Sequence, residues 1–401
     1  MLSQSEKKSL SIVLSVFFFV VLSTWGVTLL ARGYRPSLQP GGLTLNPTGL
    51  LSATSRPKGA SVYINNSLIT ATDDTINLTP GDYVVKIIKD GYFNWQKTIK
   101  IKAEIVYQTD SQLFRSTPDL KPITHTGVIN PEVSPDKSRV IYAVASSSAT
   151  ANNGLYLIEL SANPLYLTKN TPRQIATNTL SVDWSKASYE FSPNSMEVIA
   201  TFKSGVKYLL NLATTIDSKT LVDITPRLPL IRQTWATQDK EIILSKLDRL
   251  PEELKPFIST VSGQKIAFTT LEDKVLYQAT QSATIPQVLA TAPPAQSTQT
   301  QTRNLITGDY YIYDLKEDTN YRLGSPTEVQ NPYWLPSSSN VVYLTNQELK
   351  AADYDATNQV TIYAGNFRPE VTLPWFDGNK IITLTAPFTG STENLYAVTI
   401  R

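Results

Sequence analysis

Val133-Ser134-Pro135-Asp136-Lys137-Ser138 runs into Arg139-Val140-Ile141-Tyr142-Ala143-Val144: an apolar residue, a polar turn, then a run of β-branched and aromatic residues (VSPDKSRVIYAV, 133–144). Pro135 presets φ for a tight turn, and Val140 to Val144 has the composition of a buried strand. The pattern recurs along the chain. Phe191 precedes SPNSMEVIATF, Trp235 precedes ATQDKEIILSK, Phe268 precedes TTLEDKVLYQA, Trp334 precedes LPSSSNVVYLT and Trp375 precedes FDGNKIITLT. Further strand-like runs follow most copies: LYLIEL (155–160), KYLLNL (207–212), YYIYDL (310–315), ELKAADY (348–354) and NLYAVTI (394–400). Several copies add a turn and a fourth short run, as in LYLT (165–168), LVDIT (221–225) and NYRL (320–323).

Four antiparallel strands per copy, repeated six times, predict an all-β fold over 117–401, a β-propeller of about six blades. A four-stranded sheet cannot bury both of its faces alone, and radial packing of successive sheets solves that. The marker residues lie 58, 44, 33, 66 and 41 positions apart, so loops vary while the hairpin stays. The third copy is the most degenerate, because RLPEELKPF (249–257) gives no clean strand. The last copy reads as three strands, and DLKPITHT (119–126) reads as a fourth. This segment is expected to complete the last sheet. The Ser-Pro-Asp and Ser-Pro-Asn turns resemble those of TolB-like propellers, bacterial envelope domains of WD-repeat-like architecture. The copies at 235, 268, 334 and 375 depart from that motif, so the resemblance implies the fold class alone.

Upstream, residues 50–116 alternate strand-like runs with turns. ASVYIN (60–65) places Val62 and Ile64 on one face, and TINL (75–78) stops at Thr79-Pro80-Gly81. DYVVKIIK (82–89) meets Asp90-Gly91, where glycine accepts the positive φ of a hairpin turn. WQKTIKIK (95–102) sets Trp95, Ile99 and Ile101 opposite Gln96, Thr98, Lys100 and Lys102, the period of a half-buried strand. Pro57-Lys58-Gly59-Ala60, Val62-Tyr63-Ile64-Asn65, Thr79-Pro80-Gly81-Asp82-Tyr83 and Gly91-Tyr92 together resemble the PEGA domain, with Lys58 where the family's name has Glu. The resemblance implies a small β-sandwich of bacterial and archaeal surface proteins with no assigned catalysis, hence a surface spacer or binding module.

Residues 9–31 (SLSIVLSVFFFVVLSTWGVTLLA) carry no charge, with Lys7 and Lys8 before them and Arg32 and Arg35 after. As a helix this stretch spans about 33 Å, enough for a hydrocarbon core of roughly 30 Å. It reads as an uncleaved signal anchor rather than a cleaved signal peptide, since Trp25, Leu29, Leu30 and Arg32 crowd the cleavage positions. The flanking charges nearly balance. A short leader before a large β-region favours residues 1–8 in the cytoplasm and the β-domains outside it, on a single-pass membrane protein. Residues 32–49, rich in Pro and Gly, read as a linker.

Composition narrows the chemistry. Charged residues are 17% of the 401, the net charge is +2, and no Lys/Arg cluster marks a nucleic-acid footprint. There is no cysteine, hence no disulfide, thiolate metal site or cysteine nucleophile. His125 is the only histidine and no G-x-S-x-G elbow occurs, which leaves no recognisable triad. Asp353, Asp355 and Asn358 form D-x-D-x-x-N, but the glycine and distal glutamate of a calcium loop are missing, and the string falls at a hairpin turn. Asp73 and Asp74 read as a loop. Trp235, Trp334 and Trp375 recur at one place in the repeat, which argues for packing between sheets rather than sugar stacking. Thr280–Thr302 (TQSATIPQVLATAPPAQSTQTQT) is too polar for a core and reads as a contact loop or a disordered tract. No catalytic, cofactor or metal residue is nominated. The expectation is a non-catalytic cell-envelope protein that binds a cell-wall polysaccharide or an envelope protein. The alternative is a propeller hydrolase acting on glycans or peptides, its site assembled from distant loops.

Overall fold

The computed structural model describes residues 4–31, 34–39, 42–145, 149–161, 170–258, 266–291, 293, 297–336 and 338–401. The chain divides into two units, one chiefly Met1–Asp90 and Asn94–Leu113, the other Gly91–Phe93, Phe114–Ala295 and Gln299–Arg401.

The first unit opens with helix α1 (Gln4–Ala31). From Ile12 to Ala31 its mean hydropathy is 2.3 and none of it is buried. By length and composition this helix is apolar enough to cross a membrane. The segment read as a linker is locally ordered: Arg35–Gln39 pairs antiparallel with Gly42–Asn46. Beyond it, Ser61–Ile64, Ser67–Ala71, Gly81–Ile88 and Trp95–Ile101 form one four-stranded sheet. A second sheet sets Gly49–Ala53 between Asp74–Leu78 and the parallel strand Val106–Gln108. Trp95, Ile99 and Ile101 are buried, as the alternation in 95–102 predicts, and so are Val62 and Ile64 on their shared face, with Leu51, Val85 and Ile87. Gly49 is fixed by close approach, since a Cβ there would stand 2.3 Å from the Lys102 carbonyl oxygen. Lys58 reaches Asp73 at 2.9 Å, and that hydrogen bond, with one from the Ser55 amide, holds the Asp73 carboxyl below its usual range.

Among the described residues the second unit carries five antiparallel sheets of three or four strands, besides a short two-stranded ladder. Sheet I holds Ile129–Val133, Arg139–Val144, Gly154–Glu159 and Arg173–Thr177; sheet II holds Ala187–Phe191, Glu197–Phe202 and Lys207–Asn211. Sheet III holds Ile266–Phe268, Lys274–Gln278, Tyr310–Asp314 and Thr319–Gly324; sheet IV holds Gln330–Trp334, Asn340–Thr345, Glu348–Asp353 and Val360–Ala364. Sheet V holds Phe367–Pro374, Lys380–Thr385 and Asn394–Thr399, and its fourth strand is Asp119–Pro122. The early segment thus pairs with the last one, Leu120 opposite Val398, as the repeat predicts.

Successive sheets share cores. Leu155, Leu157 and Ile175 of sheet I pack with Tyr189, Phe191 and Val198 of sheet II. Leu276 and Ile312 of sheet III meet Trp334 and Val341 of sheet IV. Val342 and Leu344 of sheet IV meet Ile381 and Val398 of sheet V, and Leu373 and Ile382 of sheet V meet Val140 and Tyr142 of sheet I.

The arc between sheets II and III corrects the sequence reading. Trp235 and the run after it form no hairpin; they lie in helix α2 (Leu228–Leu247). The sequence LPLIRQTWATQDKEIILSKL has proline in its first turn, good helix formers throughout and no glycine, so helical propensity outweighs the lone Ile242-Ile243 pair. Leu228, Ile231 and Trp235 share one helix face, which packs on Ile199 and Ile224. At the other end, Ile243 and Leu247 join the core of sheet III. Two further differences concern fourth strands. LYLT (165–168) lies outside the described residues, and sheet I is completed by Arg173–Thr177. LVDIT (221–225) contributes only an isolated Tyr208–Asp223 bridge.

Candidate functional site

The first strands of the sheets carry the groups with chemical potential. Those of sheets I and II run beside each other, as do those of I and V and of III and IV. Asn130 and Asn331 take positive φ, 48° in both, and each is followed by proline at a register shift in the ladder. The Asn130 amide donates to the carbonyls of Ser185 (3.0 Å) and Ala187 (2.8 Å), stitching sheet I to sheet II.

Two residues on, Glu132 of sheet I lies within electrostatic reach of Glu190 of sheet II. Burial and then the Glu190 charge push the Glu132 carboxyl above its usual range. Glu190 itself accepts a two-pronged pair from the Arg232 guanidinium of α2, which also lies 5.7 Å from the Trp235 ring. Glu132 is therefore biased toward its protonated form, beside a carboxylate that is engaged by an arginine. Sequence reasoning missed this trio. The signal available was the shared place of Glu132 and Glu190, each one residue before the Val133 and Phe191 markers.

The residues singled out by sequence are dispersed. His125 sits just beyond the closing strand, exposed, in a bend. Asp353 accepts from the Asn340 (2.8 Å) and Asn358 (2.9 Å) amides, and Asp355 accepts from the Thr357 hydroxyl at 2.5 Å, which makes D-x-D-x-x-N a self-bonded turn. Among the described residues no group of three or more His, Cys, Asp or Glu could hold a metal ion. Trp334 is buried between sheets III and IV with its indole N–H on the Ala267 carbonyl (2.9 Å), and Trp375 packs against the core of sheets I and V. All three tryptophans pack, although Trp235 does so from a helix. Asp74 opens the strand Asp74–Leu78, and Asp73 precedes it.

In the 280–302 segment, Ala283–Thr284 pairs with Asn304–Leu305, and the Val288 and Leu289 amides donate to Asp318 Oδ2 at 2.9 Å each. Arg303 pairs with the other oxygen of Asp318 at 2.8 Å. The described part of this segment is thus a pinned loop.

Two further features were not foreseen. Lys274 is clamped between Asp273 (3.0 Å) and Asp314 (2.9 Å), with its ammonium 4.7 Å from the Tyr354 ring, and all three charged side chains are at most 10% exposed. One cation bridging two carboxylates across strands 274–278 and 310–314 is a structural clamp. A cavity of about 350 Å³ lies along the outer edge of sheet II, lined by Leu209, Asn211, Ile216, Leu221, Val222 and Arg227. Its size suits a small ligand or side chain.

Comparison with known proteins adds the following. Residues 48–117 match the PEGA domain family, in agreement with the resemblance read from Pro57–Ala60 onwards. No curated protein matches the chain. Among solved structures, an oligogalacturonate lyase in complex with manganese is 11% identical over 70% of this chain and 69% of its own, with a TM-score of 0.23. A second oligogalacturonate lyase, from Vibrio parahaemolyticus, is 10% identical over 71% and 67%, also at 0.23. An acylaminoacyl peptidase from Pyrococcus horikoshii is 10% identical over 69% of this chain and 40% of its own, at 0.21. TM-scores this low establish neither a common fold nor a common activity.

Proposed function

We propose that this chain is a membrane-anchored, non-catalytic cell-envelope protein whose second unit is a β-propeller serving as a binding or scaffolding platform. Helix α1 is the single-pass anchor, residues 1–8 lie in the cytoplasm, and the β-units face away from it. The carrying observation is the pairing of a PEGA domain at 48–117 with an uncovered apolar helix at Ile12–Ala31. The cyclic sharing of cores among sheets I, II, III, IV and V, with α2 in the sixth place, supports the propeller reading. An anchor raises the concentration of the platform toward polymers and proteins beside the membrane. The test is co-sedimentation of the detergent-solubilised full chain with purified envelope fractions of the producing cells. Saturable pelleting with the cell-wall polymer, without release of soluble fragments, supports a binding module. Absence of pelleting points to a protein partner, to be sought by crosslinking in intact cells.

A hydrolase is the second reading, and Glu132 beside Glu190 is what favours it. A carboxyl pushed above its usual range next to one paired with an arginine is an arrangement that acid–base hydrolysis of glycans or peptides can use. Release of fragments that Glu132→Gln and Glu190→Gln both abolish would replace the binding reading with this one.

A further inference from the structure

We infer that Lys137 and the tyrosine beneath its ammonium form a site for a carboxylate group on the ligand of this module, an assignment that rests on the binding reading above. Lys137 occupies the left-handed position of the turn joining the first two strands of sheet I, with φ of 57°. The matching positions in sheets II, III and V are Ser195, Glu272 and Gly378, at 62°, 55° and 70°. Glycine is what such a turn favours, so a lysine there is held against backbone preference.

Its side chain also leaves its own sheet. The ammonium donates to the Thr372 carbonyl in the first strand of sheet V at 3.1 Å and lies 5.2 Å from the centre of the Tyr333 ring in the first strand of sheet IV. Burial alone lowers its proton affinity, from 10.5 to about 8, and no charged neighbour among the described residues offsets that. Asp136, the adjacent acid, is turned back into its own turn by the hydroxyls of Ser134 (2.6 Å) and Ser138 (2.8 Å). Of the elements packed on the ammonium, sheet IV presents Tyr333 as its titratable group, and sheet V presents Thr372 and Thr383, which have none.

Two buried hydroxyls add donors. Tyr333 is 6% exposed and Thr383 is 1% exposed, and neither hydroxyl has a hydrogen-bond partner among the described residues. Thr383 lies opposite Thr372 in the ladder, so both side chains emerge on one face of sheet V. Leu373 and Ile382, the next residues along, pack instead toward sheet I. Thr372 and Thr383 therefore face the sheet IV side, where Tyr333 lies.

An ammonium with N–H donors to spare, no counter-ion among the described residues and the ring of an unpartnered tyrosine beside it is a receptor for an anion. With a single positive charge and no arginine fork, the match is a monoanion, a carboxylate, rather than a phosphate dianion. Binding requires the protonated amine. Affinity is therefore steady below pH 8 and falls about tenfold per unit above it, where an ordinary lysine would retain its ligand beyond pH 10.

The test is reductive methylation of the full chain in a neutral detergent, with modification of Lys137 and of the exposed Lys121 quantified by peptide mass spectrometry. Acetate is the probe, against chloride at equal ionic strength. At pH 7, acetate should slow methylation of Lys137 at least threefold and leave Lys121 unchanged, and the protection should vanish by pH 9.5. Tyr333→Phe should at least halve the protection without lowering the melting temperature. Equal rates in acetate and chloride would overturn the site, and equal protection by inorganic phosphate would overturn its assignment to carboxylates. If protection fails while envelope fractions still pellet the protein, the Lys137 site falls and the binding reading stands. Failure of both removes the Lys137 site and the polymer as the ligand, and leaves a protein partner to crosslinking.

Discussion

The closing strand is held by a side-chain clasp whose removal has a calculable cost. Thr124 Oγ1 donates to Asn394 Oδ1 at 3.0 Å and accepts from the Leu395 amide at 2.9 Å, across 270 residues of sequence. Asn394 Oδ1 also accepts from the Gly127 amide at 3.0 Å, and Thr124 is 5% exposed. Thr124→Val keeps the volume, so no cavity forms. It removes the hydroxyl and leaves the Leu395 N–H without its partner, which costs about 1–3 kcal/mol. Taking about 2 kcal/mol, and about 2.1 cal/mol/K of unfolding entropy per residue over roughly 290 residues, the melting temperature should fall by about 3 °C. Thr124→Ser retains both hydrogen bonds and loses one methyl, about 0.8 kcal/mol, so it should melt above the valine variant. Thermal unfolding of the full chain followed by circular dichroism gives the order, and hydrogen exchange should show the Leu395 amide opening faster in the valine variant. A valine variant melting within 1 °C of the parent, or below it by less than the serine variant, would refute the clasp.

Helix α2 is tested by Lys240→Gly, an exposed mid-helix position. It should cost about 1 kcal/mol relative to Lys240→Ala, whereas a hairpin turn at that place would gain from glycine. Lys274→Met removes the cation shared by two buried carboxylates and should cost about 3 kcal/mol in urea unfolding, since Asp314 loses its ammonium and Asp273 keeps only the exposed Lys316 at 3.6 Å. Lys137 binds its proton less tightly in the folded chain, at about 8, than its ordinary 10.5. Between those values the unfolded chain holds more protons, so stability rises with pH through that window. Lys137→Met should abolish that rise while matching or exceeding the parent below pH 8. Glu190→Gln removes the repulsion that adds to burial at Glu132, and a carbon-13 NMR titration should find the Glu132 midpoint lower in the variant.

What was legible in the sequence was whatever depends on short-range pattern. The alternation in WQKTIKIK sorted Trp95, Ile99 and Ile101 into the core because a strand offers only two faces. The marker-turn-strand hairpins at 133, 191, 268, 334 and 375 all formed, because the turn chemistry and the β-branched run agree there. At 235 they do not agree. ATQDKEIILSK is built of helix formers behind a proline-led first turn, and counting a repeat imposed a strand on a helical segment. The candidate groups were hidden for a different reason. Glu132 and Glu190 are 58 positions apart, Lys137 and Thr372 235 apart, and Tyr333 belongs to another sheet again; only the lateral order of first strands brings them together. A further cue, Asn-Pro at 130–131 and 331–332, marks first strands with a bulge and would have aligned sheets I and IV.

The substitution of a helix for a sheet has a physical logic that bears on where this molecule can respond to a partner. A sheet offers each neighbour a broad face, whereas α2 covers sheet II with its first two turns and sheet III with its last. Leu228, Ile231 and Trp235 serve the first; Ile243 and Leu247 serve the second. The join with sheet II rests on three buried residues, Ile199, Ile224 and Trp235, the smallest described core in this unit. On the same arc the third strand of sheet II has only the Tyr208–Asp223 bridge along its outer edge, and the 350 Å³ cavity opens there. Local opening follows the fewest buried apolar contacts, so this arc yields before the interfaces of sheets IV, V and I. The Arg232–Glu190 pair ties the same helix to the first strand of sheet II. Any displacement of α2 therefore frees the Glu190 charge beside Glu132, which couples the weakest arc of the unit to a carboxyl pushed above its usual range.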